Sequence, residues 1–388
     1  MALNDIVITR GTGGLSRTLP GEDHISGFVF YNSTLATGNT IQHTFYSIID
    51  AENTGITETS ANYSVEWYQI NEFFKMNPGG KLFVEIAPTG STYDFEEVTD
   101  LQLYSAGSIR QCGVFNPGAL SSGHTITLQG IADDNESDHI PLYIIYGANT
   151  KNLVYTALPS LHTLSTPCEQ VSVVIGQDGG NAGQTLFASK GYSIPNVGAV
   201  LGAWSSANVS NSIAWVDKFN FVLGSIEMDE PAFGDGTKLS TLPRTTISAV
   251  NDLGYMFFLK HVGIGGTYLN DTFTATSLTD DYAYGENVRT IQKAVRNVRT
   301  ILLPDLNSPL KVDPTSGKLD LMTIKYFENK AGGPLAQMQA ENSISGYKVF
   351  VDPNQNVLST STLSVNIKMV PYGTARTINI TIGYAVSI

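Results

Sequence analysis

The sequence predicts a doubly wound α/β layer followed by a C-terminal α+β module, with extended arms at both ends. Three observations carry this. Strand-like and helix-like segments alternate between about residues 25 and 260. A long amphipathic helix, Asp281 to about Pro304, leads through Asp313-Pro314-Thr315-Ser316-Gly317-Lys318-Leu319 into a second helical run and then β-type segments. Both extremities, Ala2–Arg10 and Thr377–Ile388, are apolar and strand-like with no partner beside them in sequence.

Taken in order, Ala2–Arg10 is a short strand that Gly11-Thr12-Gly13-Gly14 and Pro20-Gly21 separate from the body. Its backbone needs hydrogen-bond partners from elsewhere. Ile25–Tyr31 reads as the first core strand. Asn62–Lys75 has apolar residues at helical spacing and is stopped by Asn77-Pro78-Gly79-Gly80; Lys81–Ile86 is then a strand of β-branched and aromatic residues. Phe95–Ala106 reads as a helix closed by Gly107, and Ile109–Phe115 as the strand after it. Leu153–Leu164 is expected to be helical despite Pro159. Gln170–Gly176 is a continuous apolar run, as in a strand buried on both faces. Asn196–Ser205 is expected to be a helix, and Ala214–Val222 and Tyr255–Val262 strands. Gly263-Ile264-Gly265-Gly266 then turns the chain back into Thr267–Ala275. Within the C-terminal module the second helical run ends near Ser345-Gly346, and Tyr347–Asp352, Leu363–Pro371 and Thr377–Ile388 are strands. The organisation expected is an arm (1–24), an α/β body (25–262), an α+β module (263–376) and a terminal strand (377–388).

Composition narrows the function. Of 388 residues, 42% are apolar and only 15% charged, against about 25% in ordinary domains. A large chain with so few charges is expected to bury surface against partners. The net charge of −13 excludes a general nucleic-acid binder, whose phosphate contacts need Lys and Arg. The charge is uneven: residues 1–280 carry −16, and residues 281–388 carry +3. Cys112 and Cys168 sit in apolar surroundings and read as buried free thiols. The first residues, Met1–Asp5, show no secretory signal, and no apolar run approaches the length of a membrane span. The expectation is a protein made in a reducing cytoplasm, with no membrane insertion.

No motif for chemistry survives inspection. The glycine-rich stretches at 11–14, 176–180 and 263–266 lack the spacing of a phosphate loop. The six histidines show no metal-ligand spacing, and Asp133–His139 resembles a calcium loop only loosely, so it reads as a solvated loop. There is no nucleophile elbow, and the paired carboxylates Glu96-Glu97 and Asp280-Asp281 suit helix starts. No cofactor, metal or catalytic residue is expected, and the chain does not read as an enzyme. The best-defined feature is the basic flank Arg289, Lys293, Arg296 and Arg299, spaced to share one side of the helix, with Val288, Ile291, Val295, Val298 and Leu302 on its buried face. It reads either as an ordinary solvated face or as an electrostatic contact to an acidic partner protein.

Unpaired terminal strands are a hazard unless another chain completes them. The residues that would join such intersubunit ladders are Leu3, Ile6, Val7 and Ile8 in the first segment. In the last they are Ile378, Ile380, Ile382, Tyr384 and Val386.

The C-terminal order resembles that of contractile phage tail sheath proteins. The residues carrying the likeness are Tyr284, Arg289 and Lys293-Ala294-Val295-Arg296; Asp313 with Gly317-Lys318-Leu319; Pro334-Leu335, Met338 and Ile344-Ser345-Gly346-Tyr347-Lys348-Val349; and the strands ending at Val370-Pro371 and Ile378–Tyr384. Leu3–Ile8 before Gly13-Gly14, and Ser193–Gly202, resemble a compact sheath-like family of prophages. The resemblance implies a sheath-type C-terminal module in a homo-oligomer, a helical array of stacked hexameric rings around an inner tail tube protein, in contact with baseplate and tail terminator proteins. It implies that the arms at Ala2–Arg10 and Thr377–Ile388 join sheets of neighbouring subunits, and that contraction drives the tube through a target envelope. The basic helix would face the tube. Assembly in a virion tail or phage-tail-like particle within a bacterial host follows. Another tail or baseplate structural protein, or a surface adhesion protein, are the rival readings.

Overall fold

The computed structural model describes residues 22–36, 38–90, 92–222 and 228–385. The expected N-terminal strand, with Leu3, Ile6, Val7 and Ile8, lies outside the described residues, as does Val386.

The body is built on β1 (Ile25–Asn32), β2 (Ile41–Phe45), α1 (Ile48–Asn53), α2 (Ser64–Met76), β3 (Lys81–Pro88), α3 (Glu97–Tyr104), β4 (Gln111–Ala119), α4 (Ser122–Ser137), β5 (Tyr143–Asn149) and β6 (Val171–Val174). These strands form one sheet in the order β2-β3-β1-β4-β5-β6, parallel throughout except for the antiparallel edge strand β2. The strand order reverses beside β1, which places helices on both faces. Successive β1 side chains serve opposite layers. Phe28 and Phe30 join Leu82, Val84 and Ile86 on one face, and Val29 and Tyr31 join Cys112, Val114 and Leu128 on the other. Such strands bury both faces and so read as continuous apolar runs.

The chain continues through β7 (Gly176–Asp178), α5 (Ala182–Lys190), α6 (Val197–Ser206), β8 (Pro231–Phe233), α7 (Arg244–Asn251), β9 (Phe258–Leu259) and β10 (Tyr268–Leu269). Here β7 pairs with β8 and β9 with β10, both antiparallel. Helix α6 packs against α2 at unusually close range. A Cβ at Gly198 or Gly202 would fall inside contact distance of the Gln69 and Phe73 backbone carbonyls. Gln69 locks the crossing, accepting from Gly198 N at 2.7 Å and donating to Pro195 O at 2.8 Å. Asn196 caps α6, its Oδ1 accepting from Ala199 N at 3.0 Å.

Next come α8 (Gly285–Leu302), α9 (Leu321–Ala340), β11 (Gly346–Val351), the single turn α10 (Val357–Thr360) and β12 (Val365–Val370). Strands β11 and β12 form an antiparallel pair with Val349 opposite Ile367. Tyr347, Val349, Ile367 and Met369 pack onto Ala294 of α8 and Leu335 and Met338 of α9.

Four expectations are corrected. Leu153–Leu164 is not an α-helix but two 3-10 turns, Tyr155–Ala157 and Leu161–Thr163. Pro159 between them has no N–H and biases the preceding residue away from helical geometry. Ala214–Val222 is not a strand: Trp215 N bonds Ser212 O and Lys218 N bonds Trp215 O, so the backbone closes on itself in turns. Asp133–Ser137 is not a loop but the last turn of α4, with Asp138 as its C-cap. Of Tyr255–Val262 only Phe258–Leu259 is strand, with Met256 making an isolated bridge to Val174.

Two tests follow from this packing. Gly198→Ala forces α2 and α6 apart and is expected to cost about 1–3 kcal/mol in denaturant unfolding, as overpacking does. Burial pushes the Glu66 and Glu85 carboxyls up to about 7, with Asn32 and Gln42 respectively donating hydrogen bonds that only partly offset it. A raised carboxyl favours the folded state most below its unfolded pKa, and that contribution is lost as pH rises through about 7. Glu66→Gln and Glu85→Gln are therefore expected to raise Tm at about pH 8 relative to the native chain, with the difference vanishing toward about pH 4.

Candidate assembly surfaces

Helix α8 gathers the roots of both arms. At the N-terminal root, the 3-10 turn Glu22–His24 is tied to the end of α6. His24 Nδ1 meets Ser205 O, and Ser205 Oγ donates to His24 O at 2.7 Å. Asp23 then reaches α8, pairing with Lys293 Nζ at 2.9 Å and Arg296 Nη2 at 2.6 Å. Lys293 also pairs with Glu341 at 3.1 Å. Burial opposes the charge of Asp23, but Lys293, Arg296 and Arg289 hold its carboxyl below the usual range.

The expectation of four cations on an open face is corrected by this arrangement. Arg289 is buried, its guanidinium 5.0 Å from the Trp204 ring, and it donates to Asp23 O at 3.3 Å and Ala207 O at 3.5 Å. Burial pushes it down to about 10, with Asp23 working the other way. Lys293 and Arg296 are engaged with acids of this same chain. Arg299 alone of the four is exposed, with no ion pair among the described residues. Helical spacing correctly put the first three on one flank, but it carries no information about Asp23.

At the opposite end of α8 lies the root of the C-terminal arm. Arg376 Nε meets Asp271 Oδ2 at 2.9 Å, Nη2 meets Glu286 Oε1 at 2.6 Å, and the guanidinium stacks 3.3 Å from the Tyr284 ring. Glu286 is only 3% exposed and also accepts from Thr272 Oγ1 at 2.6 Å. Burial weighs against the charge of Arg376, yet the two carboxylates hold it above its ordinary value.

The strand expected at Thr377–Ile388 is not formed within this chain: beyond Arg376 it has no regular secondary structure up to residue 385, since no ladder partner lies beside it among the described residues. Ile378, Ile380, Ile382 and Tyr384 recur at every second residue and are each at least 75% exposed. An apolar row with the period of a strand is thus presented to solvent.

A matching vacancy lies in the α8–β12 layer. Strands sit about 4.8 Å apart and packed helices about 8–10 Å apart, so two strands cannot roof two helices. A groove of about 700 Å³ remains, lined by Ile291, Val295 and Val298 of α8 and by Ile367 and Met369 of β12, with Pro371 and Tyr284 also on its wall. Among the described residues, strand β12 pairs only with β11, on one edge. Sequence reading missed the groove because its walls come from segments some seventy residues apart, and no local pattern marks them.

Among the described residues no helix is long and apolar enough to cross a membrane, and no group of three or more His, Cys, Asp or Glu is placed to hold a metal. Cys112 and Cys168 are both buried.

Residues 281–388 match the family described as DUF2586, C-terminal domain. No curated protein matches the chain. Among solved structures, the chain is similar over its whole length to a component of the anti-feeding prophage baseplate, with 14% identity, TM-score 0.63 and complete coverage of both chains. It is similar to the contracted sheath complex of an extracellular contractile injection system, with 12% identity, TM-score 0.61, and coverage of 100% of this chain and 99% of the other. A sheath tail protein of Desulfitobacterium hafniense aligns at 10% identity and TM-score 0.54, over 95% of this chain and all of that one. The chain therefore has a sheath-type fold.

Asp23→Asn, which leaves three cations facing a neutral amide, is expected to lower stability by about 2 kcal/mol at neutral pH. The depressed Asp23 carboxyl contributes stability present above about pH 4 and lost as pH falls further, so the variant should also show a flatter acid limb in urea melts.

Proposed function

We propose that this chain is a sheath subunit of a contractile injection apparatus. The observation carrying the reading is an exposed apolar segment with the alternation of a strand, Ile378–Tyr384, in a protein whose α8–β12 groove borders a strand edge with no partner among the described residues. A strand from a second copy, added to β12, would lay its apolar residues over Val295 and Val298 of α8 while its backbone closes the ladder. Each ladder hydrogen bond contributes roughly 0.5–1.5 kcal/mol net. The segment at Leu3, Ile6, Val7 and Ile8 is the second donor in this reading, and Val386 extends the first.

In the assembled particle the subunits stack as hexameric rings around an inner tail tube, with baseplate and terminator proteins closing the ends. The arm (1–24) and terminal strand (377–388) link rings, while the body (25–262) and module (263–376) reorient between them. The sequence between arm and body carries Gly11, Gly13 and Gly14, and glycine has the widest choice of backbone conformation. The extended array is kinetically trapped, and contraction releases free energy by burying surface between bodies. Of the basic helix only Arg299 remains available to a tube or other acidic partner.

One observation favours a second reading. The anti-feeding prophage protein that aligns over the whole chain belongs to a baseplate, so a baseplate subunit built on the same fold uses the same surfaces.

Removal of residues 377–388 is expected to abolish tubes and rings in negative-stain microscopy while leaving the thermal melt of the body unchanged; removal of 2–10 should do the same. Val295→Asp, which places a charge in the groove, should reduce polymer yield at least about tenfold, each 1.4 kcal/mol of lost contact being one decade. Normal polymers from both truncations refute the reading.

A further inference from the structure

The arm of each copy has a competitor for its neighbour's groove: its own. Strand β12 ends at Val370, and the antiparallel return of a hairpin needs only two to five loop residues. Residues 371–376 supply that length. A return would seat Ile378, Ile380 and Ile382 on the same molecule's β12 edge at an effective concentration in the millimolar range, which no dilute neighbour matches. Self-capture of this kind would leave the subunit inert.

The described arm does not return. None of residues 377–385 lines the groove or bonds to β12. The intervening chain is held elsewhere by three kinds of contact, with Thr374 Oγ1 adding a bond to Glu286 Oε1 at 3.4 Å beside the third. Ser345 Oγ donates to Pro371 O at 3.0 Å, and Tyr372 OH donates to Asn342 Oδ1 at 3.2 Å. The third is the seat of Arg376 on Asp271, Glu286 and Tyr284. The first two are exposed single hydrogen bonds, whereas the third satisfies a buried carboxylate and is the strong one.

We propose that Arg376 is a positioning residue that bars self-capture. Seated at the mouth of the groove, beside Tyr284, it carries the chain past its own β12 edge and keeps the apolar row free for a second copy. The inference rests on the strand-donation reading above and adds the device that makes donation go between molecules. Breaking the seat lets the arm fold back; the cost of leaving Glu286 buried and unpaired keeps it closed.

The test is hydrogen exchange at residues 377–385 in the full chain, below the concentration at which it assembles. Two variants are used. Arg376→Ala with Glu286→Gln removes the arginine without stranding a buried carboxylate, and Asp271→Asn with Glu286→Gln keeps the arginine on Tyr284 but removes both of its carboxylate partners. Unchanged protection in β1, β4 and β5 verifies folding, and each variant stands if the other misfolds. In the native chain the arm should exchange at the rate of an open peptide. In the variants it should slow by at least about tenfold, as local closure does, and polymer yield should fall. Fast exchange at 377–385 in a folded variant overturns the inference, whatever the polymer yield. The truncation lacking 377–388, run alongside, separates the two failures: if it still forms tubes, donation by the C-terminal arm falls, and if it does not, only the role of Arg376 is lost.

Discussion

Helix α8 is the member through which the two halves of the chain are joined, and the interaction that fixes it is the burial of Arg289. A guanidinium sealed against Trp204 needs hydrogen-bond acceptors, and it takes them from the Asp23 and Ala207 carbonyls. Gln292 adds a bond to Leu142 O at 3.1 Å, and Thr290 one to Val209 O at 3.3 Å. These polar contacts specify one rotation of the helix, because an apolar face alone would tolerate slippage. With that rotation set, Lys293 and Arg296 fall on Asp23, Glu286 faces Arg376, and Val295 and Val298 look into the groove.

The two arm roots are built alike in one respect. In each, a charged group next to the arm meets opposite charges on or beside α8, where water is largely excluded. Such pairs add little stability over an apolar packing, but losing one partner strands the other, which makes the arrangement hard to leave by small steps. The roots are thus placed rigidly, while residues 377–385 make no comparable contact among the described residues. The charge imbalance along the chain finds its structural reason here, since Lys293, Arg296 and Arg376, all after residue 281, answer Asp23 at the N-terminal root and Asp271, both before it.

Much of the body was legible in the residues. Phe28–Tyr31, Leu82–Ile86 and Val171–Val174 read as buried strands because parallel strands covered on both faces need no polar alternation. Strand β5 carries the same signal in Leu142–Ala148, an apolar run directly after Pro141. Helix α4 escaped because Ser122–Ser137 is rich in Ser, Gly, Asn and Asp, residues of weak helix propensity, and its plain cue was Ser121, whose hydroxyl accepts from Gly123 N at 3.2 Å. Ala214–Val222 misled for the opposite reason. Phe219 and Phe221 are buried, so its hydrophobicity is real, but the backbone is satisfied by turns instead of a ladder.

The sequence by itself determined the α/β alternation, the long helix with its cations on one flank, and the apolar period of two in the terminal segment. All three are local, since they depend on spacing along one stretch of backbone. Only the tertiary structure decided that three of those cations are engaged within the chain, that a groove lies between α8 and β12, and that Arg376 is held at its mouth. Each joins residues distant in sequence, and such neighbours are chosen by how packed layers leave charge and volume unmatched.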